Sequence, residues 1–292
     1  MIVILGCIVV VGAVLGGFTM AGGHIHALLH PSEVVTIGGA TVGAMIVMSP
    51  KKVLIDLGKA CISCITGSPY GKAMYSDTFQ LMYELLRIAQ RDGLLALESH
   101  ISDPHQSAIF AKYPRVMKNH HVSAFICDGF TPLIEGTVHS KEVLQELFEA
   151  EMHVLEEEHH AAVGVLQKAA DAMPGFGIVA AVLGIVITMG AISGPVEEIG
   201  HKVGAALVGT FLGILLSYGF LGPLAARMEF LGSAESAYFR TVAYMIASSC
   251  EAPPPKVLIE QARRRVGSEY RPKRTALEEL LKNTDAAAAA SA

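Results

Sequence analysis

Cys61 and Cys64 form a CISC pair, and the twelve histidines include the doublets His120-His121 and His159-His160, the second of them beside Glu156, Glu157 and Glu158. Thiols at this spacing can do redox or zinc work, and imidazoles and carboxylates one helical turn apart can hold a metal. Neither chemistry finds its remaining groups. No second ligand pair follows the CISC at zinc spacing, and its surroundings read as helix leaving a membrane. His153 and Glu157 supply only two of the three or four ligands a site needs. The run GSPYGK at 67–72 lacks the spacing and the terminal Ser or Thr of a phosphate loop. No Ser-His-Asp or paired-carboxylate arrangement is recognisable. The chain is therefore read as no enzyme, with no cofactor and no metal, and the histidines as part of a solvated helix face.

The elements that carry these residues explain the lack of catalytic groups. The chain is 52% hydrophobic and 17% charged, with a mean hydropathy of +0.46, against about 25% charged residues in a soluble domain. Uncharged apolar runs cover residues 2–23, 34–48, 173–194 and 203–226. A hydrocarbon layer about 30 Å thick needs roughly 20 helical residues. Four spans are expected, over about 2–22, 33–49, 174–193 and 203–224. The first has no basic leader and exceeds the apolar core of a secretion signal, so it is expected to be a span that is kept.

Eleven of the 22 Lys and Arg lie between Lys51 and Lys168 and ten from Arg227 onward, which places both termini and the middle of the chain in the cytoplasm. Four parts result: a first membrane hairpin, 1–50; a helical cytoplasmic domain, 51–172; a second hairpin, 173–226; and a cytoplasmic tail, 227–292. The fold class is all-α, a polytopic membrane protein with four transmembrane helices and a helical cytoplasmic domain. Cys61, Cys64, Cys127 and Cys250 then face reducing cytosol, where disulfides are rare, and Cys7 lies in lipid.

Within the cytoplasmic part, Thr78, Met82, Leu85, Leu86 and Ala89 form a helical stripe with Glu84, Arg87 and Arg91 turned away, and Gly93 ends it. A helix starting after Ser140 meets no proline before Pro174 and can run into the third span. EAPPPK at 251–256 is a stop, RRR at 263–265 is a basic cluster, and DAAAAASA at 285–292 reads as disordered.

Small residues recur at four-residue steps in every span: Gly12 and Gly16, Gly39 and Gly43, Gly177 and Ala181, Gly209 and Gly213. Such spacing lets helix backbones approach closely in lipid, so a tightly packed assembly is expected. No Asp, Glu or His is expected at mid-span depth, with Glu33, Glu197, Glu198 and His201 at the external ends. Ion relays in membranes use such groups. A carboxylate for this chain would have to come from another chain.

Long stretches carry a family resemblance: GAVLGGFTMAGG, PSEVVTIGGATVGAMIV, KAMYSDTFQLMYELLRIAQRDGLLALESHI, IFAKYP, MPGFGIVAAVLGIVITMG, ALVGTFLGILLSYGFLGPLAARM and APPPKVLIEQARRRVGSEYRP. Over roughly residues 1–282 the chain resembles the flagellar stator family MotA, within the MotA/TolQ/ExbB group. The resemblance implies a five-fold ring in the bacterial inner membrane around two copies of a MotB-like subunit, which brings the ion-binding aspartate. Ion flow would drive the ring against the rotor protein FliG. Membrane lipid is an expected partner and nucleic acid is not.

By the same resemblance Pro174 and Pro223 couple ion passage to cytoplasmic movement, either as kinks or, for Pro174, merely as the first residue of a new helix. Glu98 matches the acidic rotor-contacting residue. The family's basic partner position is Gln90 here, so Arg91 or Arg87 would replace it. Ala181 and Thr210 line the ion pathway. Sodium-driven relatives carry threonines where Ala181 and Gly209 stand, which leans the expectation to protons over sodium. An energising subunit like ExbB or TolQ, or a structural membrane scaffold, are the alternatives.

Overall fold

The computed structural model describes residues 2–190, 192–193 and 195–290, with side chains as far as residue 286. Every regular element among the described residues is helical. In chain order these are α1 (Ile2–Met20), α2 (Pro31–Met48), α3 (Lys51–Thr66), α4 (Lys72–Asp92), α5 (Glu98–Ile101), α6 (Pro114–Lys118), α7 (His120–Ile134), α8 (Lys141–Met189), α9 (Val196–Leu216), α10 (Gly222–Ser249), α11 (Pro255–Arg265) and α12 (Arg274–Ala290). Short 3-10 turns occur at Ile25–Leu28, Leu94–Leu97 and Phe110–Lys112, and a π-helical turn, Ser217–Leu221, joins α9 to α10.

Four helical stretches are long and apolar enough to cross a membrane: Ile2–Met20, Ile25–Met48, Lys141–Met189 and Val196–Ser249. α1 buries none of its residues within the chain. A helix apolar all round and uncovered by its own protein is stable only where lipid or a neighbour covers it.

The chain divides into two compact units, one of residues up to Gly67 with Glu157–Gly232, the other of Ser68–Glu156 with residues from Ser233 on. The first holds α1 to α3, the later part of α8, α9 and the start of α10. Two of its buried hydroxyls close on their own helices, Thr41 donating to Ile37 O at 2.7 Å and Thr188 to Gly184 O at 2.8 Å. Leu57, Cys64, Ala162, Val165, Leu166, Ala225 and Met228 pack where α3, α8 and α10 meet. Cys64 is thus a packing residue, and burial pushes both the Cys61 and Cys64 thiols up, away from a reactive thiolate. In the same unit His159 Nε2 bonds Met228 O at 3.1 Å and His160 pairs with Glu229 at 3.5 Å.

The second unit is built on an aromatic core in which Tyr70, Tyr75, Tyr238, Phe239, Phe125 and Phe148 stack edge to face or tilted, with centroids 4.9–5.9 Å apart. α4 runs through it. Thr78, Met82, Leu85 and Leu86 are buried as their spacing predicts, but Leu81, Tyr83 and Glu84 are buried too. Glu84 is not turned to solvent: Lys112 Nζ donates to it at 2.6 Å and Tyr113 Oη at 2.6 Å. The second face of α4 is covered because the tail folds back as α11 and α12 and because α6 packs beside it. Gly93 ends α4 with φ +87°, a conformation costly for other residues, and its N–H reaches Ala89 O at 3.1 Å.

The tail differs from its sequence reading in two places. The basic run is consumed internally. Arg263 and Arg264 share Glu260, holding its carboxyl down to about 2, and Arg265 stacks on the Tyr244 ring at 3.8 Å. The alanine stretch expected to be disordered is helical as far as Ala290, in keeping with alanine's high helix propensity; Ser291 and Ala292 lie outside the described residues.

Candidate functional site

The third and fourth spans meet along a seam of small residues. A methyl group added at Gly177 would lie 2.8 Å from Gly209 O, 3.2 Å from Gly213 Cα and 3.3 Å from Thr210 Cα. One at Gly213 would lie 2.7 Å from Met173 O, and one at Gly184 2.8 Å from the Ala206 methyl. The backbones of α8 and α9 therefore touch, which only glycine permits at these positions. Of the four small-residue pairs, those in these two spans do this. Gly12, Gly16, Gly39 and Gly43 have open space beside them within the single chain.

Pro174 sits inside α8, which continues unbroken on both sides, so it does not open a new helix. It cannot donate to the Ala170 carbonyl, and its ring crowds the preceding turn. That weakened turn lies against α9, since Met173 O and Gly177 are what Gly213 touches. Pro223 is separated from the π-turn by Gly222 alone, whose N–H bonds Ser217 O. With no N–H on Pro223, the Gly219 carbonyl has no donor four residues on, and the wider turn accommodates the loss. Isolated π-turns recur at functional positions. Nothing in the local sequence pattern except Pro223 marks this one.

Ala181 is buried, one turn along the same face of α8 as Gly177, and Thr210 is half-buried beside Gly209. These candidate lining residues thus belong to the facing stretches of α8 and α9. Glu33, expected at the external end of its span, is drawn against the neighbouring helices. Glu33, in the first turn of α2, is 8% exposed, and its Oε2 lies where a methyl group on Gly209 would come within 2.6 Å. Gly209 stands about 20 Å along α9 from Val196 at an α-helix's rise of ~1.5 Å per residue. α2 begins level with the middle of α9, so a residue at the end of one helix faces the interior of another.

The candidate rotor residues form a separate group in the second unit. Glu98 is exposed at the start of α5. Arg91 is exposed and gripped by its neighbour Asp92, with N–O distances of 2.7–3.0 Å. Arg87 donates to Asp285 at 2.6 Å, and Tyr83 and Lys256 hold the same carboxylate. The basic side chains nearest Gln90 are therefore both engaged, Arg91 by an exposed pair that exchanges readily and Arg87 by a three-way contact that fastens α12 to α4. Leu95, between Arg91 and Glu98 in the chain, is 70% exposed.

Comparison with known proteins accords with this architecture. Residues 4–93 match the family model described as Motility protein A N-terminal, and residues 117–240 match that of the MotA/TolQ/ExbB proton channel family. Motility protein A of Salmonella typhimurium is 37% identical over 96% of this chain and 94% of its own length. Chemotaxis protein LafT of Vibrio parahaemolyticus is 34% identical over 95% and 97%. In fold, the chain is similar to a solved structure of MotAB from C. jejuni, with a TM-score of 0.76, 19% identity and 93% and 98% coverage. It is likewise similar to that of the flagellar MotAB stator complex from Bacillus subtilis, with a TM-score of 0.71, 22% identity and 88% and 92% coverage. With four apolar spans, a glycine seam between the last two and this likeness over nearly its whole length, the chain belongs to the motility protein A family.

Proposed function

We propose that this membrane protein is the stator subunit of a flagellar motor, forming an ion channel with a MotB-type partner and converting ion flow into torque. The observation that carries the reading is the placement of Pro174: a helix weakened at one turn, packed there against the glycines of the neighbouring span. A helix of 49 residues with one such turn can transmit a small change at the ion pathway to its cytoplasmic part. Ala181 and Thr210 line the pathway, Pro174 and Pro223 are the coupling points, and Glu98 with Arg91 faces the rotor protein FliG, while Arg87 serves to hold α12. Five copies surround two of the partner in the bacterial inner membrane, with both termini cytoplasmic. No catalysis is assigned.

The transported ion is the proton. Ala181 and Gly209 carry no hydroxyl, and sodium, a hard cation, needs several oxygen ligands, whereas a proton needs one acceptor. The test is complementation of a strain lacking its own subunit, with the partner supplied. Swimming should be restored and its speed should be the same with and without sodium. Loss of swimming in sodium-free medium overturns the proton assignment, and no swimming in either medium overturns the stator reading.

A further inference from the structure

Glu33 is the side chain the proposed function leaves unexplained. It is 8% exposed, and its Oε2 is sealed from solvent with no hydrogen-bond partner. Taking a carboxyl out of water without pairing it is costly, and such groups within spans are functional by default. A second, independent observation is the space made for it. A methyl group at Gly209 would lie 2.6 Å from Glu33 Oε2 and 3.3 Å from its Cδ, and 3.1 Å from the Ala180 methyl. Glu33 of α2, Ala180 of α8 and Gly209 of α9 thus converge, and two of the three are among the smallest residues available. The position on α9 that lacks a side chain of its own receives an oxygen from α2. The carboxyl thus lies between the two helices that carry Ala181 and Thr210, against residues next to each of them in the chain.

Resting on that channel reading, we infer that Glu33 is an ion-handling carboxyl contributed by this chain itself, its Oε2 receiving the transported proton where α2, α8 and α9 meet. The step is a simple transfer. A hydrated proton forms an O–H bond to Oε2, giving the neutral acid, and that bond breaks again when the proton passes to water or to the partner's carboxylate. No other reactant is required.

The experiment uses the full chain with its MotB-type partner held in a conducting form, and reads cytoplasmic acidification, swimming speed, membrane abundance and partner co-purification. Glu33→Gln keeps size and polarity but cannot take up a proton in this way. It should lower proton flux and swimming speed by about tenfold or more, with abundance and co-purification unchanged, and Glu33→Asp should recover part of both. Wild-type flux and speed in Glu33→Gln would overturn the proposal. So would loss of assembly in both variants, which would make Glu33 a packing group between helices or subunits. Absence of flux from the unaltered complex would instead refute the channel reading on which the proposal rests.

Discussion

A methyl group at Gly213 would meet the Met173 carbonyl oxygen at 2.7 Å and Gly177 Cα at 3.0 Å, backbone atoms that cannot swing aside. Gly213→Val should therefore spread α8 from α9 at a cost of about 1–3 kcal/mol. A lowered thermal unfolding midpoint of the detergent-solubilised protein would register it. Gly164, inside α8 with open space beside it, is the control. Gly164→Ala should leave the midpoint unchanged or raise it, because alanine is the better helix former by about 0.5–1 kcal/mol. At the other candidate surface, Glu98 is free in solvent and Arg91 is held only by Asp92. An exposed ion pair contributes about 0.2–1 kcal/mol, so charge here sets register and partner choice more than adhesion. Glu98→Lys should reduce torque on tethered cells, and reversing the opposing charge on the rotor protein should restore part of it. Equal torque in Glu98→Lys and the parent would place the contact elsewhere. The glycine spacing of α8 and α9 was legible in the sequence because close approach leaves a four-residue signature. The same signature in α1 and α2 has no counterpart within the chain, since spacing says that a face is small but not what lies against it.

At the scale of helices, α8 is the informative element. The unbroken run after Ser140 allowed it to pass Pro174, as helix propagation depends on neighbours within a few residues, but left open a new helix beginning there; the structure shows one continuous helix. What the run could not indicate is that the weakened turn rests on Gly213. Pro174→Ala would restore the missing N–H to the ladder and stiffen that turn. It is expected to abolish swimming while membrane abundance and partner co-purification stay at the parental level; unimpaired swimming would show that the turn has no part in coupling. The α4 helix shows the opposite case. Its Thr78–Ala89 stripe was legible, yet Glu84 points inward to Lys112 and Tyr113. Periodicity reports the most apolar face only, and a second face that is buried through paired polar groups leaves no apolar signal. The π-turn before Pro223 was hidden for a related reason, because a single wide turn shifts no more than one residue of the pattern.

For the molecule as a whole, length and composition decide how many spans there are, and they do so locally. Each apolar run must satisfy its own backbone hydrogen bonds in lipid, so each is a helix of about 20 residues whatever its neighbours are. The channel function proposed above, with a partner that brings the ion-binding carboxylate, belongs to this scale. Reconstituted alone into vesicles, this chain should pass no protons, and flux should arise only when the partner is present; rapid flux without the partner would make it a self-sufficient channel. The four-span, all-helical architecture was thus determined by the sequence itself. Only the tertiary structure decided that α2 begins level with the middle of α9. Glu33 stands at the end of its own apolar run and reads as an external residue, but its burial against Gly209 is set by the stagger between helices far apart in the chain. That stagger follows from side-chain packing between them, which no local pattern encodes.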